Sequence, residues 1–463
     1  MDGKLLLVPR LEKQMGIEVY ATRSLGIGGV IRRSVEDFAV EELLVDGSAA
    51  RVNRSAGIGP LGSSSTKDRF LLCVLIKRNW DTISAVKVIA DQLGIGMSRI
   101  QFAGLKDAKA ITAQHITIEN LPRDETKKVH VKDIEVNPVG YLRTELSSYY
   151  LLGNSFHLVI SALNHPKSTI EKRIAQTIEE LQLIGGLPNF FGHQRFGTTR
   201  PITHEVGKAI VKGDFKKAAM LFLAKPSLHE HPDSRQAREA LQVTNDFEKA
   251  FRDYPRQLRY ERLMLRHLAE RSEDYVGAFR RLPLKLLELF PQAYQSYLFN
   301  RFLSGRLMRG LALNRAEVGD YAVNVERSGL PILSLHKMVS PENTAEINDA
   351  IQAGKMRLAI PLLGYKQKHL AGVQGEIEEQ ILEEEEISSN SFKINRIPEI
   401  SLRGKLRTIM APIRSFFVNE IATDQVDPSK HRANIDFKLY RSCYATVVLR
   451  EFMKPRSLVK AGF

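Results

Sequence analysis

"FLLCVLIKRNWDTISAVKVIADQLG", residues 70–94, decides the fold class. Its first part, Phe70–Arg78, is an apolar run suited to a central strand. The remainder reads as a helix. Asp81 stands at the N-cap, Ile83, Val86, Ile89, Ala90 and Leu93 fall on one face, and Gly94 stops it. Working outward, "ITAQHITIE" (111–119) favours a strand through its threonines and isoleucines, although the alternation slips near His115. "NSFHLVISAL" (154–163) is another strand, and "STIEKRIAQTIEELQLIGG" (168–186) spaces Ile170, Ile174, Ile178 and Leu181 along a helix that ends at Gly185. The first 186 residues are therefore mixed helix and strand.

From about 200 to 390 the chain turns helix-rich, with helical periodicity in "REALQVTNDFEKAFRDY" and "YERLMLRHLAERSEDYVGAF". Strand signals return in "ATVVLREFMK" (445–454). A helical block between two strand-bearing ends predicts an inserted domain, with the C-terminal strand rejoining the first sheet. The Gly/Ser-rich "SAGIGPLGSSSTKD" (55–68) reads as a mobile loop between strands.

At 463 residues the chain is too long for one ordinary core, so two or three domains are expected. Hydrophobic residues at 43% and charged residues at 26% fit a soluble globular protein. No apolar run nears the length of a membrane span, and the N-terminal stretch lacks the apolar core of a signal peptide. The two cysteines, Cys73 and Cys443, exclude a disulfide framework and a cysteine-based zinc site, and fit a reducing cytoplasm. The formal charge of +14 favours a polyanionic partner, of which nucleic acid is the commonest. The acidic "EIEEQILEEEEI" (376–387) reads as a solvated helix face, leaving the remainder more basic still.

Phosphate-cradle and metal motifs fail on inspection. Gly57 and Gly62 have P-loop spacing, but Ser63 stands where the phosphate-binding lysine belongs. "GIGG" (26–29) is a glycine turn, and "HEHP" (229–232) lacks the four-residue spacing of a helical zinc site. One local feature stands out instead. "AGLKDAKAITAQ" (103–114) sets a lone carboxylate, Asp107, between Lys106 and Lys109 in a glycine-led turn before a strand. Ordinary turn chemistry accounts for such a segment taken alone.

Other dense short stretches accompany it: "EDFAVEE" (36–42), "LLGNSFHLVI" (151–160), "PNFFGHQRFG" (188–197), "FPQAYQSYLFN" (290–300) and "YATVVLRE" (444–451). Together and in this order they resemble the TruD family of tRNA pseudouridine synthases, from about residue 31 to 454. The length of the central block is similar to that of the larger archaeal and eukaryotic branch. The resemblance implies an α+β fold: a pseudouridine synthase catalytic domain with a mixed, mainly antiparallel β-sheet flanked by helices, plus an inserted helix-rich α/β domain. The expected boundaries are 1–186 and 414–463 for the two parts of the catalytic domain and 187–413 for the insertion.

The activity it implies is isomerisation of a uridine in tRNA, at position 13 of the D-arm in typical members. The N1–C1′ bond is cut, the base turns, and C5 is joined to the sugar. Nothing enters or leaves, so no cofactor, metal or nucleotide is expected. By motif match Asp107 is the nucleophile or base, and nearby cations such as Lys106 would favour its ionised form. Phe38, Phe156 and Tyr444 match the positions that stack an extruded base, and Asn154 the one that meets its edge. Arg32 falls where the family often has lysine, six residues before Phe38. Lys106 is equally suited to a phosphate contact, and Gln114 and Arg195 to orienting the loop or touching substrate. The expected partner is tRNA, without membrane association, for a cytoplasmic monomer.

Two rival readings stay open at this level. A non-catalytic RNA-binding protein would have a damaged Lys-Asp turn, whereas Asp107 is intact. A uracil-removing RNA glycosylase would need a second carboxylate to activate water, for which Asp37 or Glu41 can be nominated.

Overall fold

The computed structural model describes residues 6, 8–53, 68–197, 199–367 and 371–463. The Gly/Ser-rich stretch and its P-loop-like glycines lie, but for Asp68, outside the described residues. The chain divides into two compact units. One comprises Ser24–Gln182, Arg327–Leu330 and Ala411–Phe463; the other takes the residues through Arg23, Leu183–Glu326 and Pro331–Met410.

The first unit is built on a sheet. Its strands are β1 (Phe38–Leu44), β2 (Phe70–Arg78), β3 (Ile100–Phe102), β4 (Ile111–Glu119), β5 (Ile134–Leu142), β6 (Leu151–Leu163), β7 (Arg414–Thr423) and β8 (His431–Tyr440). Among the described residues they run in the order β7-β8-β6-β1-β4-β2-β5, with β3 paired to β4. β1 and β4 are parallel, and the other pairings of this sheet are antiparallel. The expected mixed, mainly antiparallel α+β architecture is present.

Helix α1 (Thr82–Leu93) begins where Asp81 accepts the Ser84 N–H at 2.9 Å and stops at Gly94, whose φ of 65° is the left-handed cap that glycine favours. Its Ala85, Val86, Ile89 and Ala90 pack on Leu71, Cys73 and Leu75 of β2 and Ile116 and Ile118 of β4. Each fully buried aliphatic chain of this kind contributes about 1.5–3 kcal/mol. On the opposite face Val74, Ile76 and Ala113 meet Ala50. Both faces of β2 and β4 are thus covered, which is why "ITAQHITIE" shows no clean alternation.

The C-terminal segment departs from its sequence reading. "ATVVLREFMK" is not a strand but helix α2 (Ala445–Met453), buried at every position. The helix cost of Val447 and Val448 is a few tenths of a kcal/mol each, roughly, and all-round burial outweighs it. Phe452 stacks on Phe416 at 4.7 Å. The strands that rejoin the sheet are β7 and β8.

The second unit carries helices Thr203–Val211, Phe215–Ala224, Pro232–Thr244, Phe247–Asp253, Arg259–Glu270, Tyr275–Phe279 and Leu284–Met308. It also holds an antiparallel sheet of Tyr321–Val325, Pro331–Met338, Met356–Leu362 and Lys405–Thr408. The acidic stretch lies in helix Gly372–Glu385, and it is more than a solvated face. Glu378 and Glu385 are buried. Burial pushes the Glu378 carboxyl up to about 8, while Gln374 donates to it at 3.0 Å. Glu385 accepts from Tyr294 Oη at 2.8 Å and pairs with Lys208 at 2.7 Å. Local charge counting misses this because alternate turns of the helix face the core.

Candidate active site

The site grows from the central strands β1 and β6 and from the turn that leads into β4. In β1, side-chain alternation sets Phe38, Val40 and Glu42 on one face and Glu41 on the other. β6 places Phe156 opposite Val40 and Asn154 opposite Glu42. Gly153 precedes them because a Cβ there would lie 2.0 Å from the Leu439 carbonyl oxygen of β8. The glycine of "GNSF" is a packing requirement.

Between β3 and β4 the chain passes through Asp107. Buried side chains from three elements hold this turn by its backbone. Gln114 of β4 donates to the Gly104 carbonyl at 3.1 Å and accepts from Thr82 Oγ1 at 3.2 Å. Thr82, at the start of α1, accepts the Lys106 N–H at 3.0 Å. Lys77 of β2 donates from Nζ to the Asp107 carbonyl at 2.9 Å and to the Trp80 carbonyl at 2.6 Å.

The Asp107 carboxylate itself stays reachable, at 37% side-chain exposure, and accepts from Arg32 Nη2 at 3.2 Å. Arg32 sits in the left-handed region at φ 56°, a conformation uncommon for a long side chain. Its guanidinium lies 4.0 Å over the Phe38 ring. Burial works against the Arg32 charge, and the Asp107 carboxylate supports it. Its Nε has no hydrogen-bond partner among the described residues. Phe38 meets Phe156 edge-on at 6.4 Å, and Phe156 stacks on Phe437 at 5.3 Å.

Lys106 does neither of the things expected of it. Its ammonium is 3% exposed and pairs with Glu42 at 2.7 Å, so it faces away from the Asp107 carboxylate and from any phosphate in solvent. Glu42 also accepts the His115 N–H at 2.8 Å and lies 3.2 Å from His115 Nδ1. Burial disfavours the Glu42 charge, yet Lys106 and His115 outweigh it and hold the carboxyl below its usual range. The cations facing Asp107 are Arg32 and Lys77.

The other expected residues are placed as follows. Gln114 is fully buried and orients the loop. Phe38 and Phe156 are 1% and 5% exposed. Asn154 leaves Oδ1 buried and without a hydrogen bond among the described residues. Tyr444 is half-buried at the N-cap of α2, four residues past Tyr440, the register partner of Gly153. Arg195 belongs to the other unit, where Nε donates to Ser296 Oγ and Nη2 to Gln292 Oε1, both at 3.1 Å. Lys77, Thr82, Glu42 and His115 escape the sequence reading. For Lys77, Glu42 and His115 the one signal was a charged or polar residue inside an otherwise apolar strand, and Thr82, at the start of α1, gave none.

Lys77 yields a pH prediction. Burial pulls its ammonium down to about 8, against the pull of Asp107 and Asp81 and with the push of Lys106. Above that pH the site loses a positive charge and the Asp107 carbonyl a strong donor. Turnover of the wild-type chain should therefore fall across pH 8–9. Lys77→Met should turn over about 10-fold or more slowly, with no limb near 8. A limb that persists in the variant would assign the titration elsewhere.

The site thus sets one partly exposed carboxylate, clamped through its own backbone carbonyl and paired with a guanidinium, beside a mainly antiparallel sheet. The chain matches the family model of tRNA pseudouridine synthase D (TruD) over residues 14–452 and belongs to that family. It is 37% identical over 452 residues to "Probable tRNA pseudouridine synthase D" of Methanococcoides burtonii, covering 97% of this chain and 99% of the relative. A protein of the same description from Thermococcus sibiricus is 36% identical over 94% of this chain and 97% of its own. A crystal structure described as tRNA pseudouridine synthase D (TruD) from Methanosarcina mazei superposes with a TM-score of 0.82 at 37% identity, covering 97% of this chain and 99% of that one.

Proposed function

We propose that this chain converts a uridine of tRNA, at position 13 in the D-arm, to pseudouridine, with Asp107 as the nucleophile or base. The observation that carries the reading is the partly exposed Asp107 carboxylate paired with Arg32 inside the matched Lys-Asp turn. Arg32 donates to the carboxylate and Lys77 to the carbonyl of the same residue, which fixes the group for either role. The N1–C1′ bond breaks and a C5–C1′ bond forms. The C5 proton is lost and N1 gains one, so the atoms balance within the substrate.

Exposure divides the aromatic residues. Tyr444, half-buried, is the most accessible of the three rings and the one suited to stack a flipped base, while Phe38 carries the Arg32 guanidinium and Phe156 meets Phe38 edge-on. The unpaired Asn154 Oδ1 is suited to an N–H of the uracil edge. A hydrolytic reading finds its nominated carboxylates engaged. Asp37 accepts the Ser34 N–H at 2.8 Å, and Glu41, held near 2, accepts from Arg51 at 2.7 Å and Val52 N–H at 2.9 Å.

The test is to incubate the full chain with an unmodified tRNA transcript and map the products by position. Pseudouridine at position 13 without free uracil is the expected result. Free uracil, or binding without any change to the RNA, would sink the reading.

A further inference from the structure

The "PNFFGHQRFG" segment assembles a concentration of positive charge within the second unit. Its Phe191 ring carries the Arg407 guanidinium at 4.0 Å and the Arg195 guanidinium at 5.8 Å. Arg407 is 8% exposed and anchored on Asn189 of the same segment, donating to its backbone carbonyl at 3.1 Å and its amide oxygen at 2.8 Å. Gly197 closes the segment at φ 96°, where a Cβ would lie 2.6 Å from the Arg200 carbonyl. Two residues before Arg407 on the strand Lys405–Thr408, Lys405 shares its face and is exposed. Partial desolvation, then the fields of Arg195 and Arg407, lower the proton affinity of Lys405.

Like charges on Lys405, Arg195 and Arg407 repel, and an anion placed among them turns that repulsion into attraction. We propose that Lys405 and Arg195, backed by Arg407, bind a backbone phosphate of the RNA substrate. The site rests on the reading of tRNA as substrate, and it lies wholly in the second unit. Arg195 is held in a fixed plane by Ser296 and Gln292, and Lys405 supplies a mobile point charge.

Tested on the full chain with an unmodified tRNA transcript between 50 and 300 mM KCl, Lys405→Ala should weaken binding several-fold at low salt. The slope of log affinity against log salt should shrink by about one unit. Lys405→Arg should restore both. Lys337→Ala, on another strand of the same sheet and paired with Glu346 at 3.3 Å, should leave the slope unchanged. An unchanged slope in Lys405→Ala, or an equal drop in Lys337→Ala, overturns the site while leaving pseudouridine formation by the wild-type chain intact. A wild-type chain that neither binds nor modifies tRNA removes the functional reading with it.

Discussion

Asp107→Asn is expected to abolish pseudouridine formation, lowering turnover by about four orders of magnitude or more, while tRNA binding persists within a few-fold. The asparagine keeps the shape and one acceptor for Arg32 but has neither a nucleophilic oxygen nor a basic one. Folding should be nearly unaffected, because the carboxylate is 37% exposed and such an ion pair is worth about 1 kcal/mol or less. The backbone clamps from Lys77, Thr82 and Gln114 do not involve the carboxylate and stay in place. Affinity, melting temperature and pseudouridine yield measured on one preparation check all three statements. Appreciable turnover would place the chemistry on another residue.

Lys106→Met should do the reverse, damaging the fold first. It leaves the Glu42 carboxylate buried at 0% exposure with no ammonium beside it. Removing one partner of a buried pair costs about 3–5 kcal/mol. For a unit of this size that is a fall in melting temperature of roughly 10 °C. Glu42→Gln added to Lys106→Met should recover part of the loss, since the orphaned charge goes with it. The pH dependence follows from Glu42, whose folded-state carboxyl is held below its ordinary value of 4.5. In the wild-type chain its stabilising contribution is present above that value and is lost as pH falls through the depressed one. In Lys106→Met the carboxyl takes up a proton more readily, so the deficit should be largest at neutral pH and shrink toward pH 5. A variant of unchanged stability that has lost tRNA affinity would instead restore Lys106 as a phosphate ligand.

What was legible in the sequence follows the range of the forces involved. β2 and α1 could be read directly, since an apolar run, an N-cap Asp81 and a left-handed Gly94 are all local. α2 could not, because its helicity comes from burial on every side of a β-branched segment. Asp107 was singled out through its motif, but its electrostatic partners were not. Lys106 is its chain neighbour and points to Glu42, while the actual counter-charge arrives from Arg32, distant in sequence and close in space. Lys77 lies one residue before the end of β2, and nothing local marks its ammonium as a clamp of the turn. The acidic helix shows the same blindness, since composition cannot tell Glu378 in the core from Glu376 on the surface.

Gly153 has a consequence for how such chains are told apart. Any side chain there would collide with the neighbouring strand, and Gly197 is barred from substitution by its own turn. Neither glycine offers a side chain to any reaction. A chain whose aspartate had drifted away would therefore still need both to fold, and would still carry two of the marks by which this kind of protein is spotted. Shape and competence are inherited separately here. Searching genomes by the glycine-bearing signatures collects everything with the architecture, and the glycines alone say nothing of whether a chain works.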